Sequence, residues 1–311
     1  MKSESLNPDI LEFFNTQLDL WPMAKDNFSS LDKVKVKEFK NFPFNLKICY
    51  NPERVRSTKA DVSEKGIKNR ECFLCKKNRP ENQLVMSLFE NWDILVNPYP
   101  IFPYHFTIAS KTHSPQNFNF PDLYELCTFF KGMVVFFNGA QSGASAPDHL
   151  HLQAVPASCL PLIEYIERKI SLEDIQTKSL IKEISPYVLY AGAFQLSTIS
   201  QKSGKLNEFE NNSKDFSLDL SFFIQDLNLD SKKLNAFFWI DSNGLFKFII
   251  IPRKAHRPSC FYKDLSEGGF LISPGAVDMA GVTVLPRLSD FENIDLENLK
   301  KVYEEVAFTE F

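Results

Sequence analysis

The chain carries little that would direct it to a membrane, a nucleic acid or an oxidising compartment. No apolar run in its 311 residues approaches the roughly 20 needed to span a bilayer. Thirty-five Lys and Arg against 39 Asp and Glu leave a net charge of −4, without the basic surface that a phosphate backbone attracts. Neither membrane nor nucleic acid is therefore expected as a partner. The opening Met1-Lys-Ser-Glu-Ser-Leu-Asn-Pro8 has no apolar core for export, and six cysteines are too few for a disulfide scaffold at this length. These absences lead us to expect a cytoplasmic protein. Cys49, Cys127, Cys159 and Cys260 sit among apolar neighbours and read as buried thiols; Cys72 and Cys75 alone form a CxxC pair. Histidine is scarce too: of five, His105, His113, His149 and His151 fall between Tyr104 and Gln153, leaving only His256 elsewhere.

What is present is a soluble-type composition, 44% hydrophobic and 24% charged, with 30 phenylalanines in short runs that read as buried strands and helix faces. The length suits one large domain or two of ordinary size. Leu11, Phe14 and Leu18 predict a helix over Asn7–Leu20, followed by strands Val34–Phe39 and Phe44–Tyr50 and a basic loop, Asn51 to Lys59. Trp92–Val96 and His105–Ala109 read as strands joined by a Pro-rich turn. The stripe Leu123, Leu126, Phe130, Val134, Phe137 predicts one helix over Pro121–Phe137, stopping at Asn138-Gly139. Leu162–Ile170 reads as helix and the polar stretch Gln201–Lys214 as a mobile insertion. Phe237–Ile240 and Leu245–Pro252, around Ser242-Asn-Gly, form a hairpin signal. Pro274–Pro286 then takes the place that the histidine-bearing strand has earlier, and Asp290–Glu305 reads as a closing helix.

The chemistry concentrates in Ser142-Gly-Ala-Ser-Ala-Pro-Asp-His149-Leu-His151-Leu-Gln153. If His149–Gln153 is a strand, His149, His151 and Gln153 project from one face. A histidine attacks phosphorus through an unprotonated nitrogen while an acceptor holds the other. His151 is the expected nucleophile, through Nε2, with Gln153 donating its amide to a phosphoryl oxygen as charge grows. The small residues of Gly139–Ser145, notably Ser142, Gly143, Ala144 and Ser145, let backbone amides approach a phosphate. CxxC supplies two zinc ligands from one turn, and His113 and His149 are the best candidates for the other two, giving a closed structural zinc site that frees His151 for attack. Arg54, Arg56 and Lys59, and separately Arg253, Lys254, His256 and Arg257, could close over a diphosphate, or simply be solvated. His105 either packs beside the active ring or caps its strand. Asp148 is unexpected so near a phosphate.

The stretch NGAQSGASAPDHLHLQ, with the hairpin and His105 upstream, resembles the histidine-triad superfamily, in the branch where glutamine replaces the third histidine. Cys72, Cys75, His113 and His149 match the zinc pattern of galactose-1-phosphate uridylyltransferases. The SGAS-P-x-H-x-H-x-Q arrangement is similar to diadenosine polyphosphate phosphorylases. Pro161-Leu-Ile-Glu and Ser273-Pro-Gly-Ala-Val-Asp-Met-Ala-Gly-Val resemble GDP-hexose phosphorylases. The resemblance implies an α+β protein of two halves, each an antiparallel sheet with packed helices, only the first carrying HxHxQ. The expected divisions are 1–160, a connection over 161–233, and a degenerate half over 234–311. It implies a nucleotidyltransferase or phosphorylase working through a covalent nucleotidyl-histidine. The expected donor is a nucleotide sugar of GDP-hexose type, with phosphate or a sugar 1-phosphate as acceptor; a dinucleoside polyphosphate phosphorylase is the alternative. Relatives of this kind can complete their sites across a homodimer. The rivals from other classes are a zinc-stabilised nucleotide-binding protein without catalysis and a redox CxxC protein.

Overall fold

The structure, a computed structural model, describes residues 6–40, 44–169, 190–194, 224–225 and 228–308; the expected insertion Gln201–Lys214 lies outside them, as does the side chain of Arg56. Helix α1 (Pro8–Leu20) forms where expected: Asn7 caps it by accepting from the Asp9 N–H, and Pro8 suits the first turn. Helix α2 (Pro22–Ser29) follows after Trp21. Strands β1 (Lys35–Phe39) and β2 (Leu46–Tyr50) pair antiparallel, and the basic loop behind them folds into a 3₁₀ turn and the short helix α3 (Val55–Thr58). Helix α4 (Glu64–Lys68) leads to the CxxC turn.

Strands β3 (Met86–Leu88), β4 (Trp92–Val96) and β5 (Phe106–Ser110) come next. The expected Pro121–Phe137 helix is corrected into two elements, helix α5 (Leu123–Phe129) and strand β6 (Met133–Asn138). Gly132 breaks the run at φ +80°, and every residue of β6 is buried. An apolar run covered on both faces has no polar side from which to tell helix from strand, and its Val-Val-Phe-Phe composition favours the latter. Strand β7 (His151–Pro156), helix α6 (Pro161–Lys169) and strand β8 (Tyr190–Phe194) precede the hairpin of β9 (Leu234–Ile240) and β10 (Phe246–Pro252), which matches expectation. The last segment holds helix α7 (Ala276–Met279), strand β11 (Val282–Leu285) and two helices, α8 (Leu288–Asn293) and α9 (Leu296–Val306). The single closing helix is thus corrected: Asp295 stands outside helical geometry and caps α9 by accepting from the Asn298 N–H.

Eight strands form one antiparallel sheet in the order β3-β4-β5-β7-β6-β9-β10-β8, so the two halves meet edge to edge through β6 and β9. The echo between the halves is only partial. Strand β11 does not take the counterpart place of β7 but pairs parallel with β2 in a separate three-stranded sheet. Alternation along the large sheet feeds two cores. Val135, Phe137, Leu152 and Phe238 face α1 and α5, while Val134, Phe136, Val155 and Phe237 face α6, α7, β11 and α9. His151 and Gln153 share the parity of Val155, so they look toward the side where the C-terminal half packs. Cys127 is buried as expected, whereas Cys49, Cys159 and Cys260 are only partly covered. Among the described residues no helix is long and apolar enough to cross a membrane.

Candidate active site and metal centre

Cys72, Cys75, His113 and His149 converge so that their ligand atoms all lie within 4.8 Å of one another. His149 Nδ1 is 3.2 Å from Cys72 Sγ, 3.6 Å from Cys75 Sγ and 3.3 Å from His113 Nδ1; Cys75 Sγ is 3.3 Å from His113 Nδ1. Tetrahedral zinc with its usual bonds to sulfur and nitrogen has edges of about 3.3 to 3.8 Å, so the four residues fit that ion. Nε2 of His149 lies 2.8 Å from the Ser110 carbonyl. A carbonyl only accepts, so Nε2 carries the proton and Nδ1 keeps its lone pair toward the cluster. Burial opposes ionisation of Cys72, yet the contact with His149 Nδ1 and hydrogen bonds from the Leu74 and Cys75 amides draw its thiol down to about 6. A thiol poised in this way suits a metal ligand.

The expected strand His149–Gln153 starts later in the structure. The strand begins at His151, because the preceding turn is held by His149 N–H to the Ala146 carbonyl and Leu150 N–H to that of Ser114. His149 is therefore not on the strand face with its neighbours and instead folds back to the cysteines. His151 and Gln153 remain together, lining a cleft of about 850 Å³. That volume accommodates a nucleotide-sized ligand.

His151 is 5% exposed, and its Nδ1 lies 2.8 Å from the His149 carbonyl. Nδ1 must then carry the proton, leaving Nε2 with the lone pair. Burial pushes its pKa down to about 4, so the ring is neutral near pH 7. Gln116, which the sequence did not single out, fixes the backbone here: its Oε1 accepts from the His151 N–H at 2.8 Å, and its Nε2 donates to the carbonyls of His151 and Asn138. His105 is wholly buried behind Gln153. It accepts the Ile101 N–H at Nδ1 (3.2 Å) and donates from Nε2 to Gln153 Oε1 (2.8 Å). With its oxygen tied back, Gln153 presents its amide N–H groups. Burial, with the Arg54 charge, lowers His105 to about 3 and keeps it neutral.

The small-residue loop borders the same cleft through Gly143, Ala144 and Ser145. Ser142 does not: it is fully buried and its hydroxyl donates to the Lys232 carbonyl, so its expected phosphate role is corrected to a structural one. Arg54 lines the cleft with Nη1 bonded to the Tyr99 carbonyl at 2.7 Å, and burial lowers its pKa to about 10. Lys59 is exposed and lies outside the lining. From the second basic group, His256 and Arg257 reach the cleft. Arg253 does not: it is 1% exposed and spends its guanidinium on the carbonyls of Val306, Ala255 and Pro274 and on Asn235 Oδ1. Lys254 bonds the Glu304 carbonyl and covers the Phe308 ring, again outside the cleft. Asp148 pairs with Arg70, which explains how an acid is tolerated beside the loop.

Three further wall residues were not among the expected site residues. Asn138, read as a helix stop, accepts at Oδ1 from Asn235 and from the Ala276 N–H. Asp278 is half-buried at the cleft, accepts from the Gly275 and Val284 amides, and is raised to about 6 by desolvation. Trp21, between α1 and α2, walls the far end with Phe73, Pro98 and Tyr99.

A protein-family profile described as a domain of unknown function, DUF4922, matches residues 13–156. No curated protein sequence matches the chain. Among solved structures, yeast Ap4A phosphorylase Apa2 superposes with a TM-score of 0.59 at 14% identity, over 94% of this chain and 98% of that one. The same enzyme in complex with AMP gives 0.55 at 15% identity over 94% and 98%, and in complex with Ap4A 0.53 at 14% over 93% and 97%. The chain shares the mixed α+β fold of that enzyme over nearly its whole length. At this identity the likeness is one of fold and does not by itself carry activity.

Proposed function

We propose that this protein is a nucleotidyl-transferring phosphorylase that uses His151 as nucleophile on a dinucleoside polyphosphate. The observation carrying the reading is the fixed tautomer of His151: Nδ1–H is engaged by the His149 carbonyl, and Nε2 is unprotonated in a nucleotide-sized cleft. Nε2 attacks the α-phosphorus; the P–N bond forms as the bond from phosphorus to the leaving polyphosphate oxygen breaks. The Gln153 amide and the loop donors stabilise the charge that grows on the non-bridging oxygens. Inorganic phosphate then attacks the nucleotidyl-histidine, releasing a nucleoside diphosphate and restoring the neutral ring. Zinc bound by Cys72, Cys75, His113 and His149 is structural in this proposal: it pins the segment entering β7 to the CxxC turn and takes no part in either step.

The sequence motifs ranked a GDP-hexose donor first. The fold likeness to an Ap4A phosphorylase, spanning nearly the whole of both chains, favours the dinucleotide reading, and the nucleotide sugar becomes the second one. Intact-protein mass spectrometry after brief incubation with Ap4A, GDP-glucose or UDP-glucose, with His151→Ala alongside, separates the two. The expected result is an adenylyl adduct on the wild type alone, discharged by added phosphate. A guanylyl or uridylyl adduct instead supports the sugar reading. No adduct with any donor sinks nucleotidyl transfer and leaves a binding protein.

A further inference from the structure

The half of the chain without HxHxQ contributes a histidine to the cleft. His256 lies after β10, and its Nδ1 accepts the Gly143 N–H at 3.3 Å. An N–H donor at Nδ1 requires a lone pair there, so the neutral ring carries its own proton on Nε2 and grips the small-residue loop as an acceptor. Burial, aided by Arg257 and Arg253, lowers the ring to about 4, so it stays neutral and keeps that acceptor near pH 7.

The surroundings make this grip specific. Gly143 sits at φ +97°, and a Cβ on it would stand 2.5 Å from Gly275 Cα, a backbone of the same C-terminal segment. Asn235 Nδ2 holds the Ser142 carbonyl at 2.8 Å. The N–H groups of Ala144 and Ser145, next along the loop and at the cleft wall, meet no acceptor among the described residues. Two adjacent amides left without partners at a cleft wall are an anion-binding device, provided the residue before them is held still.

We propose that His256 is a positioning residue: by accepting the Gly143 N–H it fixes the loop so that the Ala144 and Ser145 amides are left for a phosphate group of the substrate. This deepens the phosphorylase reading and rests on it for the identity of the ligand. The grip itself is independent of that reading. It makes His256 a determinant of binding rather than of the chemical step, because it touches the cradle and not the reacting atoms.

The test uses ¹⁵N-glycine-labelled protein, which has only 11 glycines to resolve. Gly143 amide exchange is compared in wild type, His256→Ala and His256→Asn, whose side-chain oxygen restores an acceptor near the Nδ1 position. Steady-state kinetics with Ap4A and phosphate are measured on the same proteins. Loss of one hydrogen bond predicts exchange about 5- to 10-fold faster in His256→Ala, with KM for Ap4A raised by a similar factor, kcat within about twofold, and Asn restoring most of both. Unchanged Gly143 exchange in His256→Ala overturns the proposal, as does a fall in kcat at constant KM. Equal defects in the Ala and Asn variants overturn it too, reducing His256 to a packing residue. If wild type forms no nucleotidyl adduct, the phosphorylase reading fails, while the exchange comparison still decides the role of His256.

Discussion

His105 Nε2 donates to Gln153 Oε1 at 2.8 Å, and the Ile101 N–H on His105 Nδ1 removes any choice of tautomer. A buried histidine with no access to substrate therefore decides which end of the glutamine amide faces the cleft. His105→Phe keeps the bulk and removes the donor. Adduct formation from Ap4A should slow about tenfold or more in single-turnover labelling, and Gln153→Glu, which replaces the amide donor with a carboxylate, about a hundredfold. A His105→Phe rate equal to wild type would mean that the amide orients itself.

The same histidine sets a pH dependence of stability. Its native pKa of about 3 lies below the ordinary 6.5, so the unfolded chain takes up a proton that the native state refuses. Its contribution is intact above pH 6.5 and is lost as pH falls through 6.5 toward 3, at about 1.4 kcal/mol per pH unit. Between pH 6.5 and 5 the wild type should lose about 2 kcal/mol more unfolding free energy than His105→Phe. Urea titrations at the two pH values read that difference directly.

Metal removal should act on folding before chemistry. Purified protein is expected to hold one zinc per chain, and Cys75→Ser to hold far less. Because the site joins the CxxC turn to the entry of β7, chelation should lower the unfolding temperature and release zinc in the same transition. Full metal release with an unchanged unfolding temperature would contradict a structural role.

Gly143 and Ser142 should separate by phenotype from Ser145. Gly143→Ala combines a left-handed backbone with a Cβ 2.5 Å from Gly275 Cα, for a destabilisation of about 2 to 4 kcal/mol. Ser142→Ala should cost about 1 kcal/mol of stability through the lost bond to Lys232. Ser145→Ala keeps the backbone amide that faces the cleft and should leave both stability and KM for Ap4A close to wild type. Urea midpoints and initial rates on the three variants distinguish these outcomes.

Arg253 and Lys254 are neighbours with opposite expected costs. Arg253→Met leaves Asn235 Oδ1 and the Val306 and Pro274 carbonyls without their buried donor, and should destabilise by about 3 to 5 kcal/mol. Lys254→Ala should fall within about 0.5 kcal/mol of wild type. Unfolding curves of the pair test both numbers.

The candidate site residues were legible in the sequence because such residue types are rare in it. CxxC, the scarce histidines and the HxHxQ spacing pick out the four converging groups and the His151–Gln153 pair without any contact map. What local pattern could not supply was long-range backbone bonding. The turn that ends at His149 depends on the Ser114 carbonyl, far from it in sequence, so the strand face appeared one histidine too long. Arg253 and Arg257 look alike as loop charges. Contacts distant in sequence separate them: Arg253 is built into the C-terminal packing through Val306, Pro274 and its bridge to Ala307, while Arg257 reaches the cleft. Strand β6 was hidden for a different reason: burial on both faces erases the period that would separate strand from helix.

Strand β2 finds its parallel partner in β11, about three quarters of the chain later, and the wall that β11 and α7 complete carries the Gly275 backbone against Gly143. During synthesis His151 leaves the ribosome long before that wall exists. The nascent first half thus emerges with His151 and Gln153 present but one wall of their cleft still missing, and that wall is completed only when the last segment has been made.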